Sequence, residues 1–144
     1  MFAIVVLGVR GEGAGTIPVD PSLVPFATVL GGLTAVSGLL LILWASAELR
    51  RSRAFTAMPK PRGDASLVDS GPYRWIRHPI YTGLVVAGLG AALVQLSVVS
   101  LIAAGLLFIV LDLKRRREEA WLAGRYAGYA AYRAGRRALF PFVY

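Results

Sequence analysis

Long uncharged stretches alternate with short basic segments along this chain of 144 residues. The first long stretch covers residues 22–47 and contains no charged side chain. A helix of that length extends about 39 Å, at about 1.5 Å per residue, which is enough to cross a bilayer with some tilt. The pattern therefore predicts a transmembrane helix over residues 22–47.

A second apolar stretch covers residues 80–113 and is interrupted by polar side chains between Gln95 and Ser100. One helix of this length would extend about 51 Å, well beyond a hydrocarbon core of about 30 Å. A transmembrane helical hairpin that turns near Gln95–Ser100 explains the length better, although each arm is then close to the shortest possible span. Small residues would allow the two arms to pack closely, namely Gly83, Gly88, Gly90 and Gly105.

The remaining segments are polar, basic or too short to span. Residues 2–9 are apolar but too few to cross a bilayer, and the following residues are rich in Gly and Pro, as loops are. We therefore expect an all-α, polytopic membrane protein with one or two N-terminal helices and a cytosolic or interfacial C-terminal helix. Its single domain, residues 1–144, divides into a start and loop (1–21), a helix (22–47), a cytosolic loop (48–79), a hairpin (80–113) and a C-terminal segment (114–144).

Composition supports a membrane protein and narrows its chemistry. The chain is 56% hydrophobic, and its mean hydropathy is +0.61. It has no cysteine, which excludes disulfides, a thiolate nucleophile and a cysteine metal site. With a single histidine, His78, a protein zinc site is not expected, and we predict no metal ligands.

The net charge of +8 is distributed in a way that fits a membrane surface. Of the 16 Lys and Arg residues, all but Arg10 lie in residues 50–77 and 114–137. A hairpin places both of these regions on one side of the membrane, and the positive-inside rule makes that side the cytoplasm. We therefore expect membrane lipid as a partner, and no nucleic acid.

The side chains best suited to binding or catalysis lie on the basic side. The sequence GPYRWIRHPIYTG, residues 71–83, contains His78, and Pro79 fits the first turn of a helix, where free N–H groups can hold an anion. Because the hairpin returns the chain, residues 77–83 must lie near residues 112–119. Glu118 and Glu119 could therefore hold an amine beside these groups. Such a pocket suits a zwitterionic small molecule that carries a ring.

Simpler explanations of the same residues remain open at this point. Arg77, His78 and Pro79 also fit an interfacial anchor at a helix start. The pairs Lys114–Glu118 and Arg115–Glu119 have the i,i+4 spacing of solvated ion pairs. Tyrosines of the C-terminal segment also fit a membrane-interface belt, namely Tyr126, Tyr129 and Tyr132.

The motif G-P-Y-R-x-x-R-H-P-x-Y-x-G, followed by a helical hairpin, R-x-E-E and spaced tyrosines, resembles two enzyme families. These are the isoprenylcysteine carboxyl methyltransferases and the phospholipid methyltransferases, which are integral-membrane enzymes that use S-adenosylmethionine. The similarity covers residues 55–141 and is most specific over residues 67–83. It implies methyl transfer to a lipophilic acceptor, either the carboxylate of a prenylated cysteine or a lipid headgroup. The expected location is a bacterial or archaeal cell membrane, with the catalytic face in the cytoplasm.

The resemblance also implies roles for individual residues. It places the cofactor in a cytosolic pocket that the C-terminal segment closes. The expected cofactor-binding residues are Gly71, Tyr73, His78, Pro79, Tyr81, Gly83, Glu118 and Glu119. The expected catalytic residues are Arg77, His78 and Glu119. Two alignments of the acidic pair with the family pattern are possible, so the glutamate that faces the amino group of the cofactor is left open.

Two other functions compete with methyl transfer. A non-enzymatic membrane module, which binds anionic lipid or a partner through its basic face, explains the placement of the charges. It does not explain why Gly, Pro, Arg, His and Tyr are grouped so closely in residues 71–83. A reductase that uses a nicotinamide cofactor is the third possibility, but the chain has no G-x-G-x-x-G motif between a strand and a helix.

Overall fold

The computed structural model describes residues 15–52, 68–125 and 129–140, and the regular elements in these residues are helical. The four α-helices are α1 (Val24–Arg51), α2 (Pro79–Gln95), α3 (Val98–Arg125) and α4 (Tyr129–Ala134). Short 3₁₀ turns precede α1 at Pro21–Leu23 and lie in the loop at Gly71–Arg74. The all-α prediction is confirmed. The expectations for residues 1–9 and for Tyr126 fall outside the described residues.

Helix α1 confirms the predicted span and extends it. The Asp20 carboxylate accepts a hydrogen bond from the backbone N–H of Ser22 at 2.9 Å, which caps the short turn that leads into the helix. From Pro21 to Arg51 the chain is long and apolar enough to cross a membrane, and it is the one such helix in the described residues. The outward side chains are large and apolar, including Phe26 and Leu33, which are about two-thirds exposed at 68% and 66%. Hydrocarbon is the solvent that suits such a surface.

Backbone contact between α1 and α2 forms the main helix interface. The buried residues of α1 are Gly31, Gly38 and Ala45, which are spaced seven apart and so follow one line along the helix. A Cβ atom added to Gly38 would lie 2.6 Å from the carbonyl oxygen of Gly83 on α2. Small residues allow this approach, and the contact area it creates stabilises helix pairs in lipid.

The glycines of the hairpin therefore have different partners from those predicted. Gly83 and Gly90 pack against α1 and not against the other arm of the hairpin. Gly88 does face α3, where an added Cβ would lie 3.4 Å from Leu107. An added Cβ at Gly105 would meet nothing within 4 Å. The prediction of close glycine packing between the arms is thus wrong for three of the four residues, because the sequence does not reveal which face of α2 meets α1.

The predicted hairpin turn is confirmed at Leu96 and Ser97, between α2 and α3. Leu96 adopts the left-handed conformation with a φ of 48°, and its N–H donates to the carbonyl of Ala92 at 3.0 Å. The preceding part of the chain stabilises the turn, because the N–H of Ile17 donates to the Leu96 carbonyl at 2.7 Å. The turn reverses the chain and brings α3 back along α2.

Helix α3 is longer than the sequence suggested. A boundary was expected between the hairpin and the C-terminal segment at residues 113 and 114, but the helix continues without a break to Arg125. The residues after Leu113 are strong helix formers without Gly or Pro until Gly124, so nothing in them ends the helix. Glu118 and Glu119 consequently lie on the same rigid element as the apolar arm.

The loop before α2 is held from two directions. On one side, the Ser70 hydroxyl donates to the Glu48 carboxylate of α1. Gly71, with a φ of +57°, lies against the same Glu48 side chain. On the other side, the C-terminal segment pairs with the loop, because the N–H of Arg77 donates to the carbonyl of Arg137 at 2.9 Å. These contacts fix the backbone at the start of α2.

Candidate active site

His78 lies where the loop becomes α2, and both its backbone N–H and its carbonyl form hydrogen bonds. Its N–H donates to the carbonyl of Ala138 at 3.1 Å, and its carbonyl accepts from the N–H of Thr82 at 3.1 Å. Pro79 occupies the first turn of the helix, as the sequence predicted. It is also fully buried. The imidazole is therefore presented from a backbone position that both α2 and the C-terminal segment hold in place.

Glu119 is the centre of the charged groups around His78. Its Oε1 atom lies 3.1 Å from His78 Nε2, 3.3 Å from Arg77 Nη2 and 3.4 Å from Arg115 Nη1. Its other oxygen lies 3.8 Å from Arg133 Nε. The carboxylate is only 5% exposed, so these arginines and His78 replace the water that a buried anion has lost.

His78 is neutral in this setting. Burial lowers the pKa of His78 below its ordinary value of 6.5, and this outweighs the nearby Glu119 carboxylate, which raises the pKa. A neutral imidazole has one N–H, and the 3.1 Å contact assigns it to Nε2, which donates to Glu119. Nδ1 then carries the lone pair. At 3.9 Å from Glu118 it is too distant for a hydrogen bond to that carboxylate.

Glu118 has different surroundings from those of its neighbour. Its side chain is 42% exposed, and it accepts a hydrogen bond from the Tyr81 hydroxyl at 2.8 Å. The ring of Tyr81 stacks on His78, and the ammonium group of Lys114 lies 5.4 Å from the centre of the tyrosine ring. The two adjacent glutamates are thus distinguished: Glu119 is enclosed by cations, while Glu118 remains accessible beside aromatic rings.

The Arg115–Glu119 pair differs from a simple solvated ion pair, because both side chains are buried. Arg115 also donates from Nε to Asp112 at 2.9 Å, so it links two acids on α3. Asp112, which lies at the end of the apolar stretch, orients Arg115 through this contact and also binds Arg116 at 2.7 Å. Spacings of three and four residues along α3 were the sequence signal for this chain of contacts.

A cavity of about 640 Å³ lies beside Glu119. Glu119 contributes to its wall, and six arginines also line it, namely Arg77, Arg115, Arg116, Arg133, Arg136 and Arg137. Three of these follow α3 in the sequence, and they were not among the predicted site residues because they are spread over a basic segment with no motif. The fold brings them to the site when the C-terminal segment pairs with the loop before α2.

Other predicted site residues serve the packing around this centre. Tyr73 is buried in the loop, and burial raises the pKa of its phenol, so it stays protonated. Gly83 lies at the α1–α2 interface, against Gly38 and Ile42. Gly71 lies against α1. The roles of these three residues as cofactor contacts stay predictions.

The tyrosines of the C-terminal segment pack inside the protein where they are described. Tyr129 is almost fully buried, and its ring centre lies 6.0 Å from that of Tyr132. The Tyr132 hydroxyl donates to the carbonyl of Val68 at 3.2 Å, which adds another link between α4 and the loop. Tyr129 is thus part of the core, and Tyr132 joins α4 to the loop. An interfacial belt formed by these tyrosines stays a hypothesis.

Comparison with protein families places most of the chain in a known family. A family model described as phospholipid methyltransferase matches residues 26–128. This range includes most of α1, the loop that carries Arg77 and His78, the helical hairpin, and both glutamates of α3. Searches of curated proteins and of solved structures gave no match.

Proposed function

Because the chain belongs to the phospholipid methyltransferase family, whose members are membrane enzymes that use S-adenosylmethionine, we propose that it methylates a lipophilic acceptor at the cytosolic membrane face. One observation carries the proposal for the site. His78 and Tyr81 contact Glu119 and Glu118 across 41 and 37 residues of sequence. These contacts join the motif of residues 71–83, which carries the family resemblance, to the acidic pair of α3. A cavity lies beside them.

The residues around Glu118 fit S-adenosylmethionine chemically. When bound, this cofactor supplies a methyl group on a positively charged sulfonium, and it also carries an ammonium group. A partly exposed carboxylate, that of Glu118, suits the ammonium group. The stacked rings of His78 and Tyr81 offer an aromatic surface that suits a cation. Because three cationic or polar partners already engage Oε1 of Glu119, we assign Glu118 to the amino group of the cofactor.

Glu119 then acts as a positioning residue. It accepts the Nε2–H of His78, which fixes the tautomer and leaves the Nδ1 lone pair available. An amine acceptor must lose a proton to become a nucleophile, and we propose that Nδ1 of His78 takes it. A carboxylate acceptor needs no base. The neutral imidazole thus favours an acceptor that gives up a proton, such as the amine of a lipid headgroup.

Alignment of the reacting groups is the main task of the protein, because the methyl group is already activated. The start of α2, the last third of α3 and the C-terminal segment each contribute to this alignment through the contacts described above. The basic residues at these helix ends support a cytosolic location of the site. A lipophilic acceptor would reach it from the bilayer that surrounds α1 and α3.

Equilibrium binding of S-adenosylmethionine to the full chain in lipid nanodiscs tests the proposal. We expect saturable binding to the wild-type protein and at least about tenfold weaker binding to His78→Ala, from the loss of one well-placed polar group and its ring. Helix content and melting temperature of the variant serve as the control for folding. A folded wild-type protein that does not bind the cofactor would contradict the proposal and would favour a non-enzymatic membrane module.

A further inference from the structure

The arginine cavity is separate from the residues assigned to the cofactor. Arg77, Arg133, Arg136 and Glu119 contribute to its wall, whereas His78, Tyr81 and Glu118 do not. Glu119 lies between the two regions, since its carboxylate contacts both His78 and the arginines. Glu119 is therefore shared between the basic cavity and the group formed by His78, Tyr81 and Glu118.

The charge of the cavity does not suit the cofactor. Six arginines line it, and the acids within ion-pair distance of them in the described residues are Glu119, Asp112 and Asp69. Among the described residues, three acids thus face six arginines. S-adenosylmethionine carries more positive than negative groups, so its sulfonium would be repelled there. A cavity of this sign suits an anion instead.

Two of the arginines that line the cavity also carry unsatisfied donors. The Arg77 side chain is only 8% exposed, and its Nε and Nη1 atoms are buried without a hydrogen-bond partner among the described residues. The Nε atom of Arg136 is likewise buried without a hydrogen-bond partner among the described residues. A buried guanidinium N–H without an acceptor is unfavourable, and an oxyanion would supply the missing acceptors.

We propose that this arginine cavity binds a phosphate group. Arginine presents several donors in a rigid fork that matches the oxygens of phosphate, and several such residues around one cavity suit an anion with more than two oxygens. Arg115 follows Leu113, the last residue of the apolar stretch of α3, by two positions. The cavity therefore lies where the helices leave their apolar part, which is the level of lipid phosphates in a bilayer.

The phosphate has two possible sources, a lipid headgroup and a free phosphate ion. If it belongs to the methyl acceptor, the cavity orients the headgroup so that its reactive end points toward His78 across Glu119. This link to methyl transfer rests on the proposed function. Phosphate binding itself rests only on the arginines and their unsatisfied donors.

Binding of short-chain lipids to the full chain in a phosphate-free maltoside detergent provides the test. Dihexanoyl phosphatidic acid is the probe, because it carries a phosphate without an amine, and dihexanoylglycerol is the matched lipid without phosphate. Calorimetry should show saturable binding of the first and none of the second. Arg136→Gln should weaken binding at least about tenfold, whereas Arg51→Gln, at a side chain that is 79% exposed and outside the cavity, should change it less than about twofold.

Arg77→Gln is the second variant, and it is used only if its melting temperature shows a folded protein. It should weaken phosphatidic acid binding at least as much as Arg136→Gln does. Inorganic phosphate distinguishes the two sources. Binding of phosphate as tight as that of the lipid, with the same dependence on Arg136, would support the site and assign it to a free anion, whereas much tighter binding of the lipid would assign it to a headgroup.

Three outcomes would overturn the phosphate site. The first is equal binding of phosphatidic acid to the wild type and both cavity variants. The second is arginine-dependent binding of dodecanoate that is as tight as that of phosphatidic acid. The third is a tenfold loss of S-adenosylhomocysteine affinity in Arg136→Gln. The last result would make the cavity part of the cofactor site. If S-adenosylhomocysteine does not bind the wild type while phosphatidic acid does so through Arg136, the proposed function fails and the phosphate site stands.

Discussion

The imidazole of His78 lies parallel to the phenol ring of Tyr81, with the ring planes 4° apart and the ring centres 5.4 Å apart. The two residues are three positions apart at the start of α2, where such a spacing places side chains on one face of the helix. Their polar ends bind adjacent residues of α3, since His78 contacts Glu119 and Tyr81 contacts Glu118. One face of α2 is thereby matched to two consecutive acids of α3.

Tyr81→Phe removes the hydrogen bond to Glu118 and keeps the ring that stacks on His78. We expect the protein to fold normally and to bind S-adenosylhomocysteine about three- to tenfold more weakly, the effect of one lost hydrogen bond. Calorimetric titration in detergent measures it. Tyr132→Phe is the matched control, because its hydroxyl binds the Val68 carbonyl outside the acidic pair. Equal effects of both variants would argue against a specific role of Tyr81.

Glutamine variants of the two acids should behave differently. Glu118→Gln should leave the melting temperature unchanged and weaken cofactor binding about tenfold or more, because a charge-assisted contact to the amino group is lost. Glu119→Gln should instead destabilise the fold by about 3–5 kcal/mol, because buried Arg77 and Arg115 lose their common anion. Thermal unfolding and cofactor titration of both variants separate the two effects. Similar small changes in both would contradict the assignment.

Acidification should destabilise the protein through His78. Because burial lowers its pKa in the folded state, the unfolded chain takes up a proton at a higher pH than the folded protein does. The corresponding stability is present above the ordinary pKa of 6.5 and is lost as the pH falls below it toward the lowered value. Melting temperatures measured between pH 8 and 5 should therefore fall more steeply for the wild type than for His78→Gln. Parallel curves would show that His78 is not the group that titrates.

Gly38→Ala should disrupt the α1–α2 interface. Its new methyl group would lie 2.5 Å from the backbone nitrogen of Ala87 and 2.6 Å from the carbonyl oxygen of Gly83, so the helices must move apart. We expect a loss of stability of about 1–3 kcal/mol or more, as in other overpacked interiors. Gly32→Ala is the control, since an added Cβ there meets nothing within 4 Å. Equal melting temperatures of the two variants would contradict the interface described here.

Thr82→Val tests how the C-terminal segment is attached. The Thr82 hydroxyl donates to the carbonyl of Leu139, which is fully buried. The substitution removes the donor that this carbonyl has among the described residues. We expect a cost of about 1–3 kcal/mol in attaching the segment, seen as faster proteolysis near the C-terminus. Thr34→Val removes a hydroxyl that binds a carbonyl of its own exposed helix turn, and it should have no such effect. Unchanged proteolysis of Thr82→Val would show that other contacts suffice.

The sequence predicted the elements of this fold better than their contacts. The length of the uncharged stretch was enough to place α1, and the polar interruption near Gln95–Ser100 was enough to place the hairpin turn. Both predictions compare the length of an apolar stretch with the thickness of the hydrocarbon core. The partner of each glycine could not be predicted in the same way. Gly83 and Gly88 lie five residues apart on α2, yet the first meets α1 and the second meets α3, which depends on how the helix is rotated in the bundle.

The candidate site, too, could be predicted from the sequence only in part. Hairpin topology alone brought residues 77–83 near residues 112–119, and the structure places His78, Tyr81, Glu118 and Glu119 in contact. The different environments of the two glutamates depend on a rotation of about 100° per residue along α3, which a sequence pattern cannot resolve without knowledge of the neighbouring helix. The arginines of the C-terminal segment reach the site through backbone pairing with the loop, for which the sequence holds no signal.

Because α3 is unbroken, it fixes the distance between its apolar part and the two glutamates of the candidate site. Glu118 and Glu119 follow Leu113 by five and six residues on one helix, which corresponds to about 8–9 Å along its axis. A rigid helix fixes this interval, and a flexible linker would not. Under the proposed function, an acceptor is therefore selected by the depth of its reactive atom as well as by its chemistry. A group within the headgroup layer reaches the site without leaving the bilayer, whereas one buried among the acyl chains does not.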